Sequence, residues 1–296
     1  MKKVLITGKN SYIGESLENY LHRVGGYEID TLDMKAAEWK DYNFAGYDTI
    51  FHVAGIAHAD TGHVSEERKT FYYKINTDLT IETAQMARSA GVKQFVFMSS
   101  MIIYGESAPI GKQKVITRET VPEPANFYGD SKLKADIAIR KLETDDFRVV
   151  VLRPPMIYGN GSKGNYPLLA KFAKKIPIFP KIKNERSMLY IDNLCEFVRL
   201  MIDNEERGIF FPQNGIYTNT SDMVKMIAKT SGRKIWLTSV FNVFLYMAAR
   251  FPGKIGEIIN KVFGNLVYEQ SLSEYENGDY RVYSFENTIK ATEVQK

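Results

Sequence analysis

This chain has little cysteine, only a small excess of basic over acidic residues, and only short apolar runs. Cys195 is the only cysteine among the 296 residues, which excludes an internal disulfide and is typical of a reducing compartment. The 39 basic and 35 acidic residues nearly balance, so we expect no nucleic-acid partner. The longest uncharged run, residues 235–249, is shorter than the about 18 residues that cross a bilayer. Glycine follows the first apolar run too soon for a signal peptide. We therefore expect a cytoplasmic protein, either free or peripheral to the inner face of the membrane.

Strand and helix patterns alternate through the first two thirds of the chain. Predicted strands at 4–6, 28–32, 49–53, 95–98 and 147–152 are separated by segments with helical spacing, among them 13–24, 75–90 and 128–142. Strands that are apolar throughout predict a parallel sheet covered on both faces. We predict an α/β fold, with a Rossmann-type doubly wound parallel sheet and a smaller, mostly helical substrate-binding region. The sheet domain comprises 1–155 joined by about 187–214, and the substrate-binding region comprises 156–186 and 215–296.

A loop at residues 7–14 connects the first predicted strand to the first predicted helix. Gly8 permits a tight turn, and Gly14 lets the helix pack closely on the strand. The free N–H groups at the helix start attract a pyrophosphate, so the pattern predicts a dinucleotide site. Serine stands where a middle glycine is usual, and it is small enough for a phosphate to approach. The predicted cofactor-binding residues of this loop are Gly8, Ser11, Tyr12, Ile13 and Gly14.

Two further positions belong to the predicted cofactor site. Asp33 ends the second predicted strand, where a carboxylate commonly binds the ribose hydroxyls and repels the 2′-phosphate of NADP. This favours NAD, although Lys35 lies close enough to keep NADP as the alternative. Ala54, directly after the third predicted strand, is assigned to the same site.

A serine, a tyrosine and a lysine form the predicted catalytic group. Tyr128 and Lys132 stand at i and i+4, on one side of a helix. An ammonium beside a phenol lowers the pKa of the phenol, which makes the tyrosine an acid and base for a sugar or alcohol hydroxyl. Ser100 follows the fourth predicted strand, at the sheet edge where α/β proteins bind ligands. Its hydroxyl can bond the same substrate oxygen.

With these residues the sequence resembles the extended short-chain dehydrogenase/reductases, in the NAD-dependent sugar epimerase/dehydratase family. The resemblance implies that Ser100 rather than Ser99 is catalytic, that Lys132 bonds the nicotinamide ribose, and that the protein is a homodimer. It covers residues 1–215 well and the tail loosely. The motifs that carry it are residues 7–14, Ser99-Ser100 with Tyr104-Gly105, Tyr128 with Lys132, and Arg153-Pro154-Pro155 with Tyr158-Gly159.

A departure from the family pattern narrows the expected reaction. Met101 and Ile102 stand where the dehydratases of the family carry an Asp-Glu pair, so we expect no dehydration. The expected function is NAD-dependent C4 epimerisation of a sugar on a nucleotide diphosphate or polyprenyl diphosphate, in surface polysaccharide precursor synthesis. A 4-keto reductase of a 6-deoxy sugar nucleotide is the alternative. A non-catalytic NAD-sensing regulator is disfavoured because such proteins typically lose the tyrosine or the lysine.

The predicted substrate residues come mainly from the resemblance. Asn165 and Arg186 match family positions that hold the substrate diphosphate, and an amide with a guanidinium fork suits phosphate oxygens. The alternative is a turn asparagine and a solvated arginine. His58 and His63 flank Asp60, but we expect a loop at the site mouth, with His58 touching substrate and no metal.

An apolar stretch at residues 236–261 admits two interpretations. Its uncharged first part is followed by Arg250, Lys254 and Lys261, with only Glu257 opposing them. Such a segment fits a lid over the substrate-binding region. The lid is the favoured interpretation, and the alternative is peripheral contact with a membrane surface, as apolar helices flanked by bases make.

Overall fold

A computed structural model describes residues 1–35, 37–56 and 64–294, so predictions about His58, Asp60 and His63 lie outside the described residues. Within the described part, helices separate most strands of the first two thirds of the chain, as predicted. The strands are β1 (Lys2–Thr7), β2 (Tyr27–Leu32), β3 (Thr49–His52), β4 (Gln94–Met98), β5 (Val115–Ile116), β6 (Arg148–Leu152), β7 (Met156–Tyr158), β8 (Ile178–Pro180), β9 (Met188–Tyr190), β10 (Gly208–Phe210), β11 (Trp236–Thr238) and β12 (Val267–Tyr268). The helices are α1 (Tyr12–Val24), α2 (Glu66–Tyr73), α3 (Leu79–Ser89), α4 (Phe127–Arg140), α5 (Asn165–Lys175), α6 (Ile191–Asp203), α7 (Thr220–Thr230), α8 (Asn242–Ala248), α9 (Lys254–Phe263) and α10 (Phe285–Val294).

Six of these strands form one parallel sheet, in the order β10-β6-β4-β3-β1-β2. Successive residues of a strand face opposite sides of a sheet. Accordingly Val4 and Ile6 pack under α1 and α6, whereas Leu5 packs with the side of the sheet that α3 and α4 cover. All three side chains are fully buried, which stabilises the fold by about 1.5–3 kcal/mol for each. The predicted α/β fold with a parallel sheet covered on both faces is therefore confirmed.

The helix predicted at 75–90 starts earlier and contains an irregular turn. It begins with α2, whose N-terminus is capped by the Ser65 hydroxyl accepting from the Arg68 N–H at 3.2 Å. A π-helical turn, Lys74–Asp78, then separates α2 from α3. The charged first turns of α2 carry little apolar periodicity, so the pattern of hydrophobic residues gave no sign of them. The π turn places Asn76 against the neighbouring helix α4.

The rest of the chain adds short parallel strand pairs and helices. The pairs are β8 with β11, β5 with β12, and β7 with β9. One apolar cluster runs from Val4 in β1 through Leu194 in α6 to Ile289 in α10, so the core continues across the predicted domain boundaries. The division into 1–155 with 187–214, and 156–186 with 215–296, stays a prediction. None of the described helices combines the length and hydrophobicity that a bilayer crossing needs.

Candidate active site

The sheet order changes direction between β1 and β3, and this places a crevice at their carboxyl ends. In open α/β sheets ligands bind at such a point. Gly8 leaves β1 with φ +101°, and a Cβ on it would lie 3.0 Å from the Ala54 backbone nitrogen after β3. A side chain at Gly8 would therefore be strained and would close the gap between the two strand ends.

The turn into α1 has a cap in place of the usual middle glycine. Ser11 is the N-cap of α1, and its Oγ accepts from the Gly14 N–H at 3.1 Å. A Cβ on Gly14 would lie 2.6 Å from that Oγ. Tyr12 and Ile13 open the helix, where backbone N–H groups have no partner within the helix. The glycines, the cap and the free donors fit the pyrophosphate of a dinucleotide.

The side chain of Tyr12 is turned away from this loop. Its hydroxyl is buried without a hydrogen-bond partner among the described residues, and burial raises its pKa. A Cβ built on Gly159 would lie 2.6 Å from the hydroxyl, so the ring packs beneath that glycine. Of Tyr12, the backbone is therefore the part available to a cofactor.

Asp33 lies beside the loop. The Leu32 carbonyl accepts from the N–H groups of Gly8 and Lys9 at 2.9 and 3.1 Å, which holds the end of β2 against the turn. Asp33 Oδ1 accepts from the Lys35 N–H at 2.9 Å. Asp33 thus directly follows the end of β2 that is held against the turn, and its contact with ribose hydroxyls stays a prediction.

We expect the native protein to bind NAD at least about tenfold more tightly than NADP, because the Asp33 carboxylate repels a 2′-phosphate. Asp33→Asn should remove most of that preference. Calorimetric titration of both proteins with both cofactors measures it. Asp145→Asn is the matched control, since Asp145 is fully exposed and belongs to none of these loops. Tighter NADP binding by the native protein would assign this end of the site to a base such as Lys35.

The structure brings Ser100 and Tyr128 together. Ser100 follows β4 and caps the short turn Met101–Tyr104, and Tyr128 lies in the first turn of α4. Burial raises the pKa of Tyr128 to about 12, and its hydrogen bond with Ser100 opposes that rise. The predicted lowering of this pKa is wrong for this arrangement, because burial of the phenol dominates and raises the pKa.

Lys132 reaches from α4 toward the ends of β3 and β4. Its Nζ donates to the Met98 carbonyl at 3.0 Å, and burial lowers its pKa to about 8. A Cβ on Gly55 would lie 3.1 Å from this Nζ. The ammonium therefore lies against the backbone that follows Ala54, between the predicted cofactor residues and the catalytic helix.

Asn76 in the π turn fixes α4 against the segment after β3. Its Oδ1 accepts from the Ile56 N–H at 2.8 Å, and its Nδ2 donates to the Ser131 hydroxyl at 3.1 Å. Thr77 Oγ1 donates to the Ser131 carbonyl at 2.7 Å. π turns are frequent at functional sites, and this one positions the helix that carries Tyr128.

A buried ion pair behind the catalytic helix was missed by sequence reasoning. Asp136 is fully buried and accepts two hydrogen bonds from Arg153, from Nε at 2.9 Å and from Nη2 at 3.1 Å. Arg153 also donates to the Tyr104 hydroxyl at 2.7 Å. The Ser99 hydroxyl faces this pair, 3.4 Å from Asp136, whereas Ser100 faces Tyr128. The only signal in the sequence is an acid one helical turn beyond Lys132.

The predicted substrate residues lie on separate elements, and no hydrogen bond joins them within the described ranges. Asn165 opens α5 after Gly164. Arg186 pairs by its backbone with Thr218 and Leu266, and its Nη1 donates to the Lys261 carbonyl at 2.5 Å. Burial lowers the pKa of Arg186, and no described carboxylate forms an ion pair with it.

Comparisons with known proteins identify the family. The chain is 26% identical over 287 residues to a UDP-glucose 4-epimerase of Vibrio cholerae, covering 90% of this chain and 86% of that protein. It is 30% identical over 227 residues to the N-acetyl-alpha-D-glucosaminyl-diphospho-ditrans,octacis-undecaprenol 4-epimerase of Escherichia coli O157:H7, covering 69% and 64%. A solved dTDP-4-dehydrorhamnose reductase from Clostridium acetobutylicum shares the fold, with a TM-score of 0.74, 18% identity and 98% of each chain covered.

The family model supports the resemblance found in the motifs. It matches residues 4–211 and describes an NAD dependent family. The predicted family and nicotinamide cofactor are confirmed. The chain belongs to the NAD dependent epimerase/dehydratase family.

Proposed function

We propose that this protein is a C4 epimerase of a sugar linked to a diphosphate carrier. The observation that carries the proposal is the Ser100–Tyr128 hydrogen bond after β4, with Lys132 one helical turn along α4 reaching the ends of β4 and β3. An acid and base, a second hydroxyl for the same substrate oxygen, and a cation near the cofactor loop form the set that alcohol oxidation and ketone reduction need.

In this proposal each residue has a defined part. NAD, held at Gly8, the first turn of α1, Asp33 and Ala54, would supply the hydride acceptor. The Tyr128 phenol exchanges a proton with the C4 oxygen, and the Ser100 hydroxyl bonds that oxygen. Lys132 bonds the nicotinamide ribose. Residues 1–155 with 187–214 hold the cofactor, and 156–186 with 215–296 hold the sugar.

The surroundings of Ser100 argue against dehydration. Elimination of water needs an acid and a base beside the sugar ring, and no carboxylate directly follows Ser100. Met101 instead is buried, in an apolar cluster with Ile103, Ile116 and Tyr268. This supports a reaction that begins and ends with hydride transfer at one carbon.

Arg186 is the proposed anchor for the diphosphate. Within the described residues the partly exposed Arg186 side chain forms no ion pair and donates to one backbone carbonyl. Its guanidinium can therefore still pair with an anion such as a diphosphate. Asn165 is proposed to add an amide donor. Such a grip would keep the keto-sugar bound while its ring turns, as epimerisation requires.

We expect purified protein to interconvert the C4 epimers of a diphosphate-linked hexose or N-acetylhexosamine with no added NAD(P)H, because an epimerase returns the hydride it removes. The measurement offers UDP-sugars and polyprenyl-diphosphate sugars in parallel, followed by product analysis. The epimerases of Vibrio cholerae and Escherichia coli that resemble this chain support the choice of substrates.

The same panel tests the reductase alternative, which the shared fold with the Clostridium reductase motivates. A reductase uses the same tyrosine but consumes reduced cofactor at every turnover. Oxidation of NAD(P)H mole for mole with a 4-keto-6-deoxy sugar nucleotide, with all epimer pairs unconverted, would establish that reaction instead. Binding of NAD with no conversion of any compound would indicate a regulator. The predicted homodimer stays a prediction.

A further inference from the structure

A large apolar surface lies on one continuous stretch of the C-terminal region, residues 236–258, which we name the apolar hairpin. It comprises β11, α8 and the first half of α9, and α8 buries none of its residues. The side chains of Trp236 and Val240 are 75% and 74% exposed, and those of Phe251 and Ile255 are both 71% exposed. Water-soluble monomers rarely leave so many large apolar groups adjacent and uncovered, so such a surface indicates a binding site.

The hairpin is anchored from its inner side. Asn242 Nδ2 donates to the Lys181 carbonyl at 2.9 Å. Asn260 Nδ2 donates to the Ala249 carbonyl at 3.1 Å, and its Oδ1 accepts from the Ile110 N–H at 3.0 Å. A Cβ on Gly111 would lie 2.9 Å from the ring of Tyr246, so that ring covers the glycine backbone. The outward apolar side chains thus belong to a folded surface.

Unpaired positive charge surrounds the hairpin. Between residues 231 and 262 the only charged residues are five bases and Glu257. All five bases are exposed, and none of them forms an ion pair within the described residues. They are Arg233, Lys234, Arg250, Lys254 and Lys261. The occupant of this surface should therefore be both apolar and negatively charged.

We propose that the apolar hairpin docks on a bilayer that contains anionic lipid. Short helices with apolar side chains and flanking bases lie in the plane of the interface, with the apolar groups among the acyl chains and the bases at the headgroups. The lengths of α8 and α9, seven and ten residues, suit that orientation. An exposed tryptophan such as Trp236 is the residue that membrane interfaces favour.

The docked surface adjoins the proposed diphosphate anchor. Arg186 donates to the Lys261 carbonyl in α9, directly after the hairpin. One consequence rests on the proposed function: a substrate with a lipid carrier could present its diphosphate to Arg186 while its tail stays in the bilayer. Docking itself does not depend on which reaction the enzyme performs.

The test is flotation of the full chain with phosphatidylcholine vesicles, with and without phosphatidylglycerol. We expect co-flotation with the anionic vesicles at low salt, weakening as salt rises. The fluorescence of Trp236 should shift to the blue on binding. The other tryptophan, Trp39, is 4% exposed and distant in sequence, so the shift reports the hairpin.

Matched variants locate the contact. The double variant Phe244→Ser, Phe251→Ser alters two exposed side chains and should weaken vesicle binding by about tenfold or more. Val121→Ser is the control, because Val121 is 78% exposed and lies outside the hairpin. Absence of co-flotation at low salt, or flotation of the double variant equal to that of the native chain, would overturn the proposal.

An oligomer that the double variant dissociates, together with no vesicle binding by the native chain, would assign the surface to a second copy. Sedimentation velocity of the same samples detects that outcome. None of these measurements depends on turnover. They therefore test membrane docking even if the proposed reaction is not observed.

Discussion

Tyr128→Phe should lower kcat by about 10²–10⁴-fold, the usual contribution of a general acid and base. The change removes one hydroxyl from a half-buried ring and leaves the packing of the ring against Tyr72 in place. Because burial raises the pKa of Tyr128 to about 12, the phenol is protonated at pH 7 and can donate to a keto oxygen. Steady-state rates on the active epimer pair, with calorimetric NAD binding beside them, measure the effect. NAD affinity should stay within about threefold, since the hydroxyl is not part of the loop at Gly8.

Tyr73→Phe supplies the matched control for that variant. Tyr73 lies beside Tyr72 and donates to Asp130 of α4 at 2.7 Å, so its substitution also removes a tyrosine hydroxyl near the catalytic helix. It should cost about 1 kcal/mol of stability or less and leave kcat nearly unchanged. A Tyr128→Phe enzyme with the native rate would move the acid and base to another residue.

The sheet was predictable because four of its six strands contain a buried apolar run. Buried parallel strands leave a run of hydrophobic residues in the sequence, and β1, β3, β4 and β6 each do so. The π turn was not predictable in this way. The polar side chains of Asn76 and Thr77 hold this turn against α4, and the periodicity of apolar residues does not reveal polar contacts. Its position became visible only once α4 was placed beside it.

In the candidate site, too, the sequence predicted the residues that local motifs determine and missed the effects of tertiary packing. Local motifs pointed to Gly8, Tyr128 and Lys132, because a turn or one helical face brings those residues into register. The predicted direction of the pKa shift of Tyr128 was wrong, because the burial that raises this pKa depends on neighbours such as Tyr72 that are distant in sequence. The partner of Asp136 could not be identified either. Pairing it with an arginine 17 residues away requires the packing of α4 on β6.

The buried ion pair provides the second large expected effect. Asp136→Asn should lower the free energy of unfolding by about 3–5 kcal/mol, because it leaves the Arg153 guanidinium buried without its counter-charge. Arg153 is 5% exposed, so solvent cannot replace the lost carboxylate. Chemical denaturation followed by circular dichroism gives the difference.

Arg140→Gln is the control that removes the partly exposed partner of Asp136 and leaves the buried pair with Arg153 in place. Arg140 also donates to Asp136, at 2.9 Å, but its side chain is 38% exposed. Solvent screens that contact, so the variant should lose about 1 kcal/mol or less. Equal losses for Asp136→Asn and Arg140→Gln would contradict a special role for Arg153.

The Asp136 variant should also lose activity where it still folds. Arg153 precedes Pro154, whose carbonyl accepts from the Met101 N–H at 2.9 Å and so supports the turn that Ser100 caps.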